Sequence, residues 1–255
     1  MPDIDKNRRF LKTYFSDLDG TTTDAKKGLP KPAAEKQWPA DCKIIDLPEV
    51  DSKIIKNDSL FMALKNRRSI RKYADSKLTL GELSYLLWAA NGVNERSDNG
   101  SVKRTIPSGG ASYSIEEYVI VQNVEGLVKG VYNYLPVQNK LVFIKSVQNI
   151  TETIDSFMLD SKQPFLPYFA RKAAAIFAWT TIPNRSEYKI DVMAHKKILI
   201  DVGHVCQNMY IASEGINSGT CAIGIYDQDT VDKLLEVDGK DEFTVYLAAV
   251  GRNND

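Results

Sequence analysis

The chain has 255 residues, 33 Lys and Arg against 33 Asp and Glu, two His and 43% hydrophobic residues. Zero formal charge argues against a non-specific nucleic-acid binder, whose affinity comes from neutralising phosphates, and a chain this long buries roughly 70–75% of its unfolded surface without disulfide or metal staples. Cys42, Cys206 and Cys221 form no CxxC and point to a reducing compartment; with no apolar leader and no long uncharged apolar run, the expectation is a cytoplasmic protein with no membrane span.

Residues 1–55 carry Pro30, Pro32, Pro39 and Pro48 and little apolar periodicity beyond Phe10, Leu11, Tyr14 and Phe15, so they are read as an extended, part-helical arm. Within it, Asp17-Leu18-Asp19-Gly20-Thr21 spells the DxDGT string of haloacid-dehalogenase-type phosphatases, in which the first Asp ends a buried apolar strand. Arg9 to Ser16 cannot make that strand, so the string is rejected as a chance match. Residues 56–255 are read as the main domain. Asn57 or Asp58 can cap a helix with Leu60, Phe61 and Leu64 at helical spacing, ending at Asn66. Thr79-x-x-Glu82 is a capping box opening a helix that buries Leu83, Leu86, Leu87 and Ala90 and stops at Asn91-Gly92. Residues 94–110 are polar and glycine-rich and are read as a loop.

Strands are predicted over 118–122, 131–135 and 141–145, a helix around 147–159, and a turn at Pro164 and Pro167. Residues 173–180 suit a central strand buried on both faces. The longest helical pattern runs over 190–214 and ends at Gly215. Strands over 221–225 and 243–250 flank a helix over 229–237. This mixture has no βαβ beat and predicts an α+β fold rather than a Rossmann domain.

Two stretches carry chemistry. Extended backbone through Arg67-Arg68-Ser69-Ile70-Arg71 would put Arg67, Ser69 and Arg71 on one face, where forked guanidinium donors suit a phosphate; a solvated basic turn is the competing reading. The loop Pro107-Ser108-Gly109-Gly110-Ala111 lets backbone approach a flat ligand, or is a plain surface turn. Asp201 and His204, i and i+3 on one helix, read as a structural pair. No metal-ligand spacing or nucleophile triad is present, and Cys221 reads as buried rather than reactive.

In order and spacing these segments resemble the FMN-dependent nitroreductase superfamily, in particular its SagB-type, thiazole-oxidase-like branch. Arg67, Arg68, Ser69 and Arg71 look like the phosphate and ribityl contacts. Pro107, Ser108, Gly109, Gly110 and Ala111 followed by Glu117–Val121 are similar to the loop and strand at the flavin ring. Asp201-x-Gly203-His204 and then Ala222, Ile223 and Gly224 look like the dimer-forming helix and the segment facing flavin N5, and Arg252 sits where a last basic phosphate contact is often found. The resemblance implies a nitroreductase-like fold, a central mostly antiparallel sheet flanked by helices, and an interlocked homodimer with FMN at the interface. The implied activity is hydride transfer between NADH or NADPH and a small acceptor, a nitro compound or quinone, by a ping-pong scheme. Members that oxidise azolines carry an adjacent Lys-Tyr pair. The matching positions here are Lys189 and Ile190, with Tyr188 one residue out of register, so Lys189 and Tyr188 are the candidate catalytic residues and dehydrogenation of an azoline or related heterocycle is the alternative. A non-catalytic flavin-binding protein is a further one.

Overall fold

The computed structural model describes residues 3–98, 101–158 and 169–254. Its helices are α1 (Ile4–Phe10), α2 (Leu60–Asn66), α3 (Leu80–Asn91), α4 (Ile150–Met158), α5 (Asn184–Ile190), α6 (Ala194–Gly215) and α7 (Gln228–Leu235). Its strands are β1 (Ile44–Asp46), β2 (Val93–Arg96), β3 (Val102–Arg104), β4 (Ile115–Val121), β5 (Gly130–Leu135), β6 (Lys140–Ser146), β7 (Ala175–Thr181), β8 (Ser218–Ile223) and β9 (Phe243–Arg252). Among the described residues one seven-stranded sheet runs β1-β6-β5-β4-β7-β9-β8, antiparallel at every step. The fold is α+β, with helices on both faces of that sheet.

Alternation explains how one sheet serves two cores. Along β7, Phe177 and Trp179 pack into one apolar cluster with α3 and α6, whereas Ile176 and Ala178 pack into the other with α4 and α7. Every residue of β7 is buried, as expected of a central strand covered on both sides. Helix α3 has the anticipated capping box: the Thr79 Oγ1 accepts from the Glu82 N–H at 3.2 Å, and the Glu82 carboxylate accepts from the Thr79 N–H at 2.9 Å. It buries Leu83, Leu86, Leu87 and Ala90 completely, at about 1.5–3 kcal/mol for each leucine.

Some expectations change. The 94–110 stretch contains a hairpin, β2 with β3, whose short, mostly polar strands carry no apolar alternation to announce them. Ser59 caps α2, and Asn57 instead accepts from the Ser59 N–H. The long helix begins at Ala194 because Asp191, with φ +46°, breaks the chain away from α5. From the arm, β1 extends the sheet by pairing with β6, Ile44 opposite Val142. Phe15–Leu18 is a 3₁₀ turn with Asp17 exposed and bonded to Arg9, not a buried strand end. Phe157 and Phe169 belong to the core, whereas the turn at Pro164 and Pro167 and the side chains of Phe165 and Tyr168 lie outside the described residues. No helix among the described residues is long and apolar enough to cross a membrane.

Candidate active site

Helix α6 organises two polar assemblies, one around Tyr210 and one around Asp201. The two positions lie nine residues apart, about 13 Å along the axis. The phenol oxygen of Tyr210 accepts from the Ala222 N–H of β8 at 2.9 Å and lies 3.1 Å from Ser69 Oγ. The Ile70 N–H donates to the Thr220 carbonyl at 3.0 Å, so residues 69–70 run beside β8. That approach requires Gly219: a Cβ there would stand 2.5 Å from the Ile70 Cβ.

The basic run therefore lies against β8 and α6. Arg67 stacks over the Tyr210 ring at 5.1 Å. Exposed Arg68 donates to the carbonyls of Lys65 and Arg67, closing the end of α2. Arg71 donates to the Ser69 carbonyl at 3.3 Å and stands over Phe169 at 5.9 Å. Arg67 and Ser69 thus meet at Tyr210 while Arg71 reaches sideways, yet Ser69 and Arg71 line the same cavity, about 440 Å³, with Ile70, Lys72, Asn253 and Asn254. None of these three arginines is ion-paired to a carboxylate among the described residues. Burial raises the pKa of Glu214, and Arg67 and Arg68 pull against that shift from a distance. The Asn253 Oδ1 is buried with no hydrogen-bond partner.

Arg252 is placed differently. Its guanidinium donates to the Ile216 carbonyl at 2.9 Å and forms an ion pair with Glu82, the carboxylate of the α3 capping box. Burial raises the Glu82 pKa, but the bonds from Arg252 and Thr79 outweigh it and hold the carboxyl below its ordinary range. Arg252 thereby ties β9 to the start of α3. Of the 222–224 segment, Ile223 is buried, Gly224 is exposed beyond the strand end, and the Ala222 N–H is already taken by Tyr210. Cys221 is buried, and burial pushes its thiol pKa up, which removes it from nucleophilic chemistry.

At the other end the Asp201 carboxylate accepts from Ser108 Oγ at 2.7 Å and from the Gly109 N–H at 3.2 Å, so it serves the 107–111 loop and not His204, which is exposed. Ser108 Oγ in turn accepts from the Tyr113 N–H. Gly110 has φ +67°, a conformation that suits glycine, and its carbonyl accepts from Lys189 Nζ at 2.8 Å. Tyr188 donates its hydroxyl to the Leu29 carbonyl of the arm at 3.0 Å. Lys189, Tyr188, Ala111, Ser112, Tyr113 and Arg185 line a cavity of about 240 Å³ with Lys31, Pro32, Ala34, Ser101 and Val102. Both candidate catalytic residues thus share a cavity with the glycine loop.

Behind Arg185 and on both faces of the sheet lie buried polar groups that residue patterns did not announce. Arg185 pairs with Glu116, both almost fully buried. Arg104 donates to Asn91 Oδ1 and to the Ala34 carbonyl, each at 3.0 Å. Lys36 reaches from the arm to Glu242 at 2.6 Å, and Glu242 also accepts from Tyr118 and Thr180. Glu117 is fully buried, and desolvation raises its pKa to about 8 against the bond it accepts from Trp179. Tyr210, Lys31 and Asn253 were not singled out from the sequence: the residues that Tyr210 bonds, and those that share a cavity with Lys31 or Asn253, lie far along the chain.

The sequence model described as the Nitroreductase family matches residues 64–252. The chain belongs to the nitroreductase family. A relative from Methanocaldococcus jannaschii, named "Putative nitroreductase MJ1384", is 31% identical over 208 residues, covering 82% of this chain and 96% of that one. A crystal structure from Ralstonia eutropha with the same description superposes with a TM-score of 0.66 at 25% identity, over 89% of this chain and 95% of that one. The Escherichia coli microcin synthetase McbBCD complex with truncated pro-MccB17 bound includes a chain alike in fold, with a TM-score of 0.61 at 21% identity over 99% of this chain and 92% of that one. The match begins at Leu64 inside α2 and ends at Arg252, so it takes in the Tyr210 assembly, the glycine loop and Lys189 of this nitroreductase.

Proposed function

We propose that this nitroreductase is an FMN-dependent NAD(P)H oxidoreductase acting on a small acceptor, with its phosphate site at residues 67–71. The observation that carries this reading is a cluster of arginines, Arg67, Arg68 and Arg71, bonded to backbone carbonyls or stacked on rings and unpaired with carboxylates. A phosphate with up to two negative charges needs such uncommitted guanidiniums. The residues fit the group: Ser69, Arg71 and Lys72 line an open cavity with no carboxylate among its described lining residues, and the orphaned Asn253 Oδ1 can accept from a ribityl hydroxyl. Arg252, bound to Glu82, acts by positioning β9 more than by direct contact.

When bound, FMN supplies the hydride acceptance and donation, and the chain's residues hold and shield it. The 107–111 loop, braced by Asp201, offers close backbone to the ring, with Pro107, Ser108, Gly109, Gly110 and Ala111 as its wall. Ala222 and Ile223 of β8 and Gly224 just beyond it would line the ring, with Tyr210 fixing the Ala222 backbone. In this reading a second copy of the chain supplies the opposing loop. Leu60, Phe61 and Leu64 of α2 are 56–70% exposed, and Leu199 and Ile200 of α6 are also exposed, which is an apolar area that a homodimer would cover.

The test is the visible spectrum of purified protein before and after FMN and NADPH or NADH. Bound, reducible flavin is expected, and Arg67→Ala should weaken FMN binding by about 1.5–3 kcal/mol, as for a charged hydrogen bond. Protein that binds no added FMN refutes the reading. A second reading, dehydrogenation of an azoline or related heterocycle, is favoured by Lys189 standing in the cavity beside Ala111. Lys189→Ala that leaves turnover of every substrate intact counts against it. Flavin that binds but resists reduction by every donor favours a flavin-binding protein.

A further inference from the structure

The cavity at Lys189 has a chemistry of its own. Among its described lining residues three are cationic, Lys31, Lys189 and Arg185, and none is Asp or Glu. Arg185 is neutralised by Glu116 behind the wall. Lys189 donates to a neutral carbonyl, that of Gly110, and keeps its charge unopposed. Lys31 takes part in no ion pair among the described residues. Two lysines with no carboxylate partner among the described residues thus border a partly enclosed space whose remaining walls are Pro32, Ala34, Ser101, Val102, Ala111, Ser112, Tyr113 and Tyr188.

Lys31 is not on a free strand of the arm. The carbonyl of Leu29 is held by the Tyr188 hydroxyl at 3.0 Å, and that of Ala34 by Arg104 Nη2 at 3.0 Å. The Ala25 N–H donates to the Tyr188 carbonyl at 2.9 Å, and the Glu35 carboxylate accepts from the Val137 N–H at 2.6 Å. The stretch carrying Lys31 and Pro32 is therefore pinned on both sides, with Lys31 at the rim of the cavity. Both lysines are exposed to solvent, and an anion held in the cavity would be attracted by each of them.

We propose that this cavity binds a small, single-ring carboxylate, with Lys31 of the arm and Lys189 of α5 as its charge partners and Pro32, Tyr113 and Tyr188 as its apolar walls. At about 240 Å³ the space is below the usual range for drug-sized ligands, which limits the occupant to roughly one ring and its substituents. The arm is then part of the binding site, and selectivity for anionic over neutral compounds is its contribution. The inference rests on the proposed function only in making the bound compound the electron acceptor or donor, because Ala111 joins the cavity to the loop assigned to the flavin.

The test compares 4-nitrobenzoate with 4-nitrobenzamide, alike in shape and different in charge, by titration calorimetry on the full chain with FMN present. The benzoate should bind about fivefold to tenfold more tightly at low salt, a preference that shrinks as ionic strength rises. Lys31→Gln should reduce the preference to about twofold or less while leaving benzamide binding unchanged, and Lys189→Gln should reduce it as well. Equal affinity of the wild-type protein for the two probes, binding of neither, or a preference that survives both substitutions overturns the proposal. Flavin absorbance is scored separately. Absence of flavin binding defeats the oxidoreductase reading, while the probe comparison on the same flavin-free protein still decides the cavity.

Discussion

Around each end of α6 the fold ties up some charges and leaves others available. At the Asp201 end, Asp201 braces Ser108 and Gly109 and Arg185 neutralises Glu116, while Lys189 keeps its charge against the Gly110 carbonyl. At the Tyr210 end, Arg67, Arg68 and Arg71 are left with ring faces and backbone carbonyls. A guanidinium facing a carboxylate has little field left for a ligand, whereas one facing a neutral carbonyl keeps most of it. The difference separates scaffold from binding surface more sharply than residue type does. Arg252 shows this within one residue type, since its pairing with Glu82 places it with the scaffold despite its location near the site.

The contrast is broken most directly by Arg185→Ala, which strands the buried Glu116 carboxylate and should cost about 3–5 kcal/mol of stability in urea unfolding. A cost below about 1 kcal/mol would show that this end is not scaffold. Asp201→Ala removes a charged acceptor from Ser108 and Gly109 and should cost about 1.5–3 kcal/mol, together with faster proteolysis at the loop. Glu117 gives a pH signature. Its pKa near 8 in the fold exceeds the ordinary carboxyl value of 4.5, so the folded state holds the extra proton between those values. Stability should therefore fall as pH rises through that window, by at most about 1.4 kcal/mol per unit from this group, and level off above it. Glu117→Gln should flatten that slope in denaturation series at several pH values. The smallest effect is expected at the exposed end. Arg71→Ala should leave unfolding free energy within about 0.5 kcal/mol of wild type while weakening FMN binding, and a large loss of stability would erase the distinction.

Local signals in the chain announced most of the architecture. The Thr79–Glu82 box, the apolar run of β7 and the terminating glycines Gly92 and Gly215 are short-range features whose physics is complete within a few residues. The hairpin of β2 and β3 escaped because both strands are short and mostly polar, and β1 escaped because a short edge strand carries hardly any pattern. The segments proposed for FMN were recognisable by their order along the chain, but their division into two assemblies on α6 was not.

What the sequence determined by itself is therefore most of the helices and the strands from β4 onward, the burial of the central strand on both faces, and the likeness of the basic run and glycine loop to one family pattern. What only the tertiary structure decided is which charges remain available. Glu82 and Arg252 are 170 residues apart, Arg185 and Glu116 are 69 apart, and Lys36 and Glu242 are 206 apart. No periodicity or spacing rule joins such partners. They meet because the antiparallel sheet and α6 fold remote segments onto one another, and burial then makes pairing obligatory for a charge left inside.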